Sequence, residues 1–432
     1  MRSSWSLICL LIISSVSLAQ DTLTLQSAID IALRNNLQIE ISRNDYEIAQ
    51  NNNYAGNAGM LPSVAINASD APASSNINQQ FTNGTSIQKD NVGSNNINAS
   101  LALSMVLFDG GRMFATKARL EELEALGENT LKANIQNIVS AVVQSYTNIV
   151  TQEKYLLVLE QLSSVSAARF SLVESRMDAG LANNTDLFLA QLDMNTRTQS
   201  IPTQQASIQN ARTDLNVLLN FPADTTYLLQ QQLPVNASLD KATLDALFKN
   251  NPEYLAAENR VNVALQAEKE IGAARFPRVG LTAAYGYSRQ QSQAGFTLYS
   301  QSYGPTGSVT LSIPLFSGLV NSRNYTNAKI QHESAELAQA QTINSLAGSF
   351  EKAWQLYTAA LQQVEVDIKS VDIARQYMML MEQRYNLGQS TVIDFREAQR
   401  SFEETNFRLI NNQYLLKVSE TDLLRLTGQL VK

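Results

Sequence analysis

"LSIPLFSGLV", residues 311–320, changes its periodicity within ten positions. Up to Leu315 apolar residues alternate with small polar ones, the period of two that gives a strand two unlike faces. Beyond Gly318 the pattern turns helical and stays so for about 65 residues with one glycine, Gly348, and no proline. Much earlier, "LSMVLFDGGR" (residues 103–112) makes the same change, and Phe108 and Phe316 stand 208 positions apart.

Laid on itself at that offset of 208, the chain keeps register without gaps from Phe108 to about Asn220. Gly110 falls on Gly318, Arg176 on Arg384, Gly180 on Gly388 and Asp186 on Asp394. Upstream, at an offset of 215, "IDIALRNN" (29–36) lies over "LDALFKNN" (244–251), and "LPSV" (61–64) over "FPRV" (276–279). This reads as two tandem structural repeats, residues 20–220 and 241–432, joined by a linker over 221–240 that contains Pro222 and Pro234. Each repeat predicts a short helix (25–35; 242–250) and a second helix (about 38–59; 253–274). Pro62 and Pro277 then stop the helix and open a strand. A polar loop (70–96; 288–307), a return strand, a very long helix, a glycine turn and a last helix follow.

In the return strands Ile97, Ala99, Leu101, Leu103, Met105 and Leu107 oppose Asn98, Ser100, Ala102 and Ser104. Val309, Leu311, Ile313 and Leu315 oppose Ser308, Thr310 and Ser312. Such a strand suits a barrel wall with lipid outside and water inside; it equally suits a half-buried soluble sheet. Tyr285, Tyr287, Tyr299 and Tyr303 fit an interfacial aromatic girdle, although tyrosine is ordinary in strands. The long helices carry heptads: Phe350, Tyr357, Val364, Val371, Met378 and Tyr385, with Trp354, Leu361 and Ile368 assigned to the neighbouring seam. The first copy has Val142, Ile149, Leu156, Phe170 and Met177 in phase.

The fold class is therefore mainly α with a membrane β-barrel portion: a long α-helical coiled-coil barrel plus four β-strands per chain. Four strands cannot close, and lipid does not tolerate unpaired edges. A trimeric 12-stranded barrel is the expected closure.

Residues 1–19 read as a signal peptide, with Arg2 ahead of "WSLICLLIISSVSL" and small residues before Gln20. Cys9, the only cysteine, lies inside it. After it no run of 18 apolar residues suggests a membrane helix. The formal charge of −7 gives no electrostatic reason to bind nucleic acid. His332 is the only histidine, and the chain has no phosphate loop, nucleophile elbow or metal-spaced cluster. No enzyme activity, cofactor or metal site is expected.

At the far end of each long helix, "SRMDAGLANNTDLFLAQ" (175–191) and "QRYNLGQSTVIDFREAQ" (383–399) share R-x-x-x-G-x5-D-x3-A-Q. Gly180 and Gly388 are placed to take positive φ and end a helix. Thr185 and Thr391 are placed to help start the next. Asp186 and Asp394 suit its first turn, and Ala190 and Ala398 permit close helix contact.

With the tandem repeat and the "PLFSGL" junction, this turn makes the chain resemble the TolC family of outer-membrane efflux proteins over essentially all of its length after residue 19. The resemblance implies a homotrimer whose barrel sits in outer-membrane lipid. It also implies an α-helical tunnel through the periplasm ending in a closable tip. Such ducts serve tripartite pumps or type I secretion systems, with a periplasmic adaptor (membrane fusion) protein and an inner-membrane pump or ATP-driven exporter as partners. Position by position, Asp394 matches a constriction aspartate, and Glu397 stands where a second aspartate is common. Tyr385 matches a tyrosine of the gate network, and Asp186 is the corresponding acid of the first copy. Arg176 and Arg384 become candidates for adaptor contact, and Gly110, Gly318, Gly180 and Gly388 the turn and junction residues. Ser390 departs from the pattern, standing where some members have a gate arginine. Helix capping is an equally good reading of Asp186 and Asp394. A structural periplasmic or surface coiled coil without transport remains the alternative.

Overall fold

Pro62 and Pro277 each stand one residue ahead of a strand, and glycines at positive φ close the long helices. The computed structural model describes residues 22–231, 234–235 and 238–431; the signal-peptide reading of 1–19, with Cys9, lies outside them. The order is β1 (Thr22–Leu23), α1 (Leu25–Asn35), α2 (Leu37–Asn52), β2 (Ser63–Gln80), β3 (Ser86–Phe108), α3 (Arg112–Asp178), α4 (Asn184–Leu219), β4 (Leu228–Leu229), α5 (Lys241–Leu247), α6 (Pro252–Gly272), β5 (Arg278–Ser292), β6 (Tyr299–Ser312), α7 (Val320–Asn386) and α8 (Val392–Leu426). The chain is mainly helical, and α3 and α7 are each 67 residues long, about 100 Å at 1.5 Å per residue. It divides into one unit of residues 1–40, 134–251 and 347–432 and another of 41–133 and 252–346.

The second unit holds one antiparallel sheet in the order β2-β3-β5-β6. Its register sorts the side chains. Ile66, Leu101, Tyr285 and Pro305 lie abreast, as do Ala68, Ala99, Tyr287 and Tyr303, and then Met105, Leu281 and Val309. One residue over, on the opposite face, stand Asn67, Ser100, Gly286 and Gly304, and Ser63, Ser104, Thr282 and Ser308. One face is thus apolar and the other small and polar. Val64, Ile66, Leu101, Tyr285, Tyr303, Val309 and Leu311 are exposed. From Val279 to Tyr287 the apolar band runs about 27 Å along β5 at 3.3–3.4 Å per residue.

Several expectations need correction. The stretches 70–96 and 288–307 are mostly strand: β2 and β3 stay paired to Gln80↔Ser86, and β5 and β6 to Gln291↔Tyr299. Their Asn/Ser-rich sequence lacks alternation, yet the ladder of backbone hydrogen bonds continues through it. β6 ends at Ser312, so Ile313 and Leu315 lie past the strand, ahead of and behind Pro314. α2 stops at Asn52 rather than near 59; the Asn57 side chain donates to the Asn52 carbonyl (3.0 Å), and Gly59 takes φ +77. The 221–240 stretch contains β4, which pairs in parallel with β1. Among the described residues one helix, α3, does contain a window apolar enough for a membrane span. Part of its apolar surface is internal: Val142, Tyr146, Ile149 and Val150 join Leu215, Leu219 and Ala32 in the first unit's core. There the Tyr146 hydroxyl donates to the Leu23 carbonyl (2.7 Å) and accepts from the Gln230 amide (2.9 Å), satisfying a buried polar group.

The heptads are also refined. Phe350, Tyr357, Val371, Met378 and Tyr385 are buried, and Val364 only half so. The second buried seam is Ala353, Ala360, Asp367 and Ala374, not Trp354, Leu361 and Ile368. Ala at these positions lets helices approach closely. Buried Asp367 accepts from Arg408 Nε (2.8 Å) and Asn412 Nδ2 (2.6 Å) on α8. In α3 Val142 and Ile149 are buried, whereas Leu156, Phe170 and Met177 yield to Leu162, Ser166, Arg169 and Val173. A helix of 3.6 residues per turn drifts against a 3.5-residue repeat.

The two junctions use the same positions with different residues. Asp109 accepts from the Met113 amide (3.1 Å), and Ser317 from that of Asn321 (3.4 Å). Gly110 and Gly111 have φ +76 and +88, Gly318 and Leu319 +62 and +66. A Cβ on Gly110 would stand 2.5 Å from Phe276 Cβ and 2.7 Å from the Ala273 carbonyl oxygen, whereas one on Gly318 meets open space. Gly318→Ala should therefore lose only the left-handed backbone preference, about 1–2 kcal/mol. Gly110→Ala should lose about 2–5 kcal/mol, since overpacking adds to it. Thermal unfolding of both variants in one detergent checks the difference.

Candidate functional site

The two glycine turns end their helices in the same way. The Leu181 amide donates to the Arg176 carbonyl (2.8 Å) and that of Gly180 to Met177 (2.9 Å); the Gln389 amide donates to Arg384 (2.8 Å) and that of Gly388 to Tyr385 (3.0 Å). These are paired Schellman bonds, and Gly180 and Gly388 sit in them at φ +73 and +71. The next helix is capped at positions 183 and 391. Asn183 Oδ1 accepts from the Asp186 amide (3.0 Å), and Thr391 Oγ1 from that of Asp394 (3.2 Å). Thr185 is inside the first turn of α4 and is not its cap, which corrects the sequence reading. Only α8 has the reciprocal bond of a capping box, in which the Thr391 amide donates to Asp394 Oδ2 (3.0 Å).

Around these turns the first unit builds a stack of two rings between two cations. The Arg176 guanidinium lies 5.1 Å from the centre of the Tyr385 ring. Tyr385 stacks on Phe395 at 5.7 Å, with the rings 7° from parallel, and Arg169 lies 5.9 Å over Phe395. Arg169 and Arg176 are seven residues apart on α3, which puts both on one helix face. Arg176 Nη2 also donates to the carbonyls of Tyr385 (3.0 Å) and Asn386 (2.8 Å), placing a cation at the C-terminus of α7. Arg169 is buried; its Nη2 pairs with Asp193 (2.6 Å), which also accepts from Ser166 (2.9 Å), and its Nη1 donates to Gln399 Oε1 (3.0 Å). Ala190 and Ala398 are fully buried here.

The predicted site residues thus separate into two groups. Tyr385 and Arg176 are internal ties. Burial pushes the Tyr385 hydroxyl up, Arg176 and Arg169 oppose this, and Asp186 reinforces it, which places Asp186 within its electrostatic reach. Asp394 and Glu397 are exposed on α8. The Thr391 hydroxyl and amide hold the Asp394 carboxyl below its usual range, and the Arg384 charge adds to this. Arg384 donates only a long bond to Gln389 O (3.4 Å), within its own turn. Ser390 donates to the Met381 carbonyl (3.5 Å). Arg169, Asp193 and Phe395 escaped the sequence reading. The seven-residue step from Arg169 to Arg176 was the available signal for the first of them.

Two outcomes follow. Arg169→Met strands Asp193 and should destabilise the fold by about 3–5 kcal/mol, while Arg169→Met with Asp193→Leu recovers most of the loss; thermal melts of the single and double variants check this. Folding lowers the Asp394 pKa, so its capping contribution is complete above the usual carboxylate range and is lost as pH falls through the lowered value. Amide exchange in the first turn of α8 should show that step in the native protein and lack it in Asp394→Asn.

A family model described as outer membrane efflux protein matches residues 28–220 and 243–429. The outer membrane efflux protein BepC of Brucella suis biovar 1 is 22% identical over 414 residues, covering 94% of this chain and 86% of its own. The alkaline protease secretion protein AprF of Pseudomonas aeruginosa is 22% identical over 395 residues, covering 89% and 80%. A crystal structure of a membrane protein from Pseudomonas aeruginosa is similar in fold, with a TM-score of 0.80, 22% identity and 93% of each chain covered.

Proposed function

The chain belongs to the outer membrane efflux protein family, and on that premise we propose that three copies assemble into the exit duct of a tripartite pump or type I secretion system. It works in the outer membrane as an efflux or secretion channel. The observation that carries the proposal is the sheet: one apolar face, one face of small polar side chains, and unpaired edges at β2 and β6. In lipid every edge amide needs a partner, and three such sheets joined edge to edge make a barrel of twelve strands. Pro72 and Pro305, the prolines within the described strands, both lie on edge strands, where a missing donor is tolerated. A second seam supports assembly: Val366, Ile373 and Leu380 repeat every seven residues along α7 and are exposed, with Leu387 just past its end, ready for a neighbouring copy's helix.

In this reading residues 20–220 and 241–432 are two copies of one unit, and 221–240 links them. The family model's two matched segments support it. So do the equal lengths of α3 and α7 and the shared capping positions. The turn end is the periplasmic mouth. Asp394 and Glu397 present carboxylates there, Asp186 lies in the first turn of α4, and the Arg176 tie takes the place of an arginine at Ser390. A periplasmic adaptor contacts this end, Arg384 being the more accessible of the two arginine candidates, and an inner-membrane pump or ATP-driven exporter drives transport. BepC is named for efflux and AprF for protease secretion, and either cargo class fits a wet bore.

Three-fold repetition of Asp394 and Glu397 forms a ring that favours cations and holds divalent ions. In planar bilayers the native protein should conduct as a cation-selective channel blocked by divalent ions, and Asp394→Ala with Glu397→Ala should abolish both properties. Unchanged selectivity and block would remove the ring from the mechanism. A chain that stays soluble and monodisperse without detergent, with no heat-sensitive trimer on a gel, would refute the barrel itself.

A further inference from the structure

Away from the turn end, the first unit carries a half-open cleft of about 810 Å³, within the range of sites that take drug-sized ligands. Val150 of α3, Val364 of α7 and Ile410 and Leu416 of α8 supply apolar wall, and Lys154 and Tyr414 supply polar groups. The cavity accounts for Val364, the member of the buried α7 heptad that stays half open.

Its electrostatics are unbalanced. The Lys154 ammonium donates to the neutral Gln413 Oε1 (3.1 Å) and, among the described residues, makes no ion pair. Glu153, next in the chain, is committed to Arg212 (2.8 Å). The cavity's second cation, Lys417, is answered by Glu420 (3.0 Å). One uncompensated positive charge therefore faces an apolar hollow in an acidic chain. Burial alone pushes the Lys154 pKa down, with no carboxylate to hold it up. Half withdrawn from water without a counter-charge, this ammonium carries a cost that a bound anion would offset.

We propose that this cavity binds an amphiphilic anion, its carboxylate on Lys154 and its aliphatic body against Val150, Val364, Ile410 and Leu416. Tyr414 lines the same cavity. A neutral or cationic amphiphile of equal length leaves the ammonium unanswered.

The test uses the full-length protein in lipid nanodiscs, a dansyl-labelled fatty acid as probe, and laurate or dodecyltrimethylammonium as competitor. Saturable binding displaced by laurate and not by the cation is expected. Lys154→Met should weaken it at least about thirtyfold, the scale for removing one partner of a buried charge pair, and Lys154→Arg should retain it. Val150→Phe, which fills the cavity and keeps the charge, should also abolish it. Absent saturable binding, equal displacement by the two competitors, or equal affinity in Lys154→Met overturns the proposal. If Lys154→Met does not fold, the arginine and phenylalanine variants decide: retention in both overturns it.

Discussion

A β-sheet in lipid must spend every backbone amide on another strand, and that constraint orders this molecule. Register alone separates the apolar face from the polar one, because a one-residue slip in any strand would exchange them. The order β2-β3-β5-β6 satisfies the inner strands and leaves β2 and β6 open. In the proposed assembly these open edges pair with those of neighbouring copies, which gives assembly a physical cause independent of side-chain recognition.

The helices meet a different demand. Two helices of 67 residues need a device that fixes their far ends, and the Arg176–Tyr385–Phe395–Arg169 stack supplies it. Each ring is held between a cation and the other ring, and each guanidinium has a second anchor, carbonyls for Arg176 and Asp193 for Arg169. Asp394 and Glu397 stay exposed on α8, and Asp394 keeps one structural duty, the capping bond with Thr391. This division of labour is the main refinement to the set of residues named from the motif.

Where the sequence was legible, a local signal had one meaning. Pro62 and Pro277 located strand starts, and Gly180 and Gly388 located helix ends, because backbone stereochemistry leaves few choices. The strands were misjudged at 70–96 because side-chain alternation fades where both faces are polar, while the hydrogen-bond ladder that holds them leaves no trace in composition. The second α7 seam was misplaced because volume drew attention to Trp354, Leu361 and Ile368; close helix packing selects Ala353, Ala360 and Ala374. Arg169 was not singled out in the sequence. Its burial depends on Asp193 and Gln399, which are brought to it only by the packing of α4 and α8.

The junctions carry one more consequence. Leu319 occupies the left-handed conformation that Gly111 fills without strain in the first half. A leucine held there stores free energy that local opening releases, so the start of α7 sits lower on the scale of local stability than the start of α3. A fold with near-equal halves in this way acquires an unequal pair of hinges from one side chain.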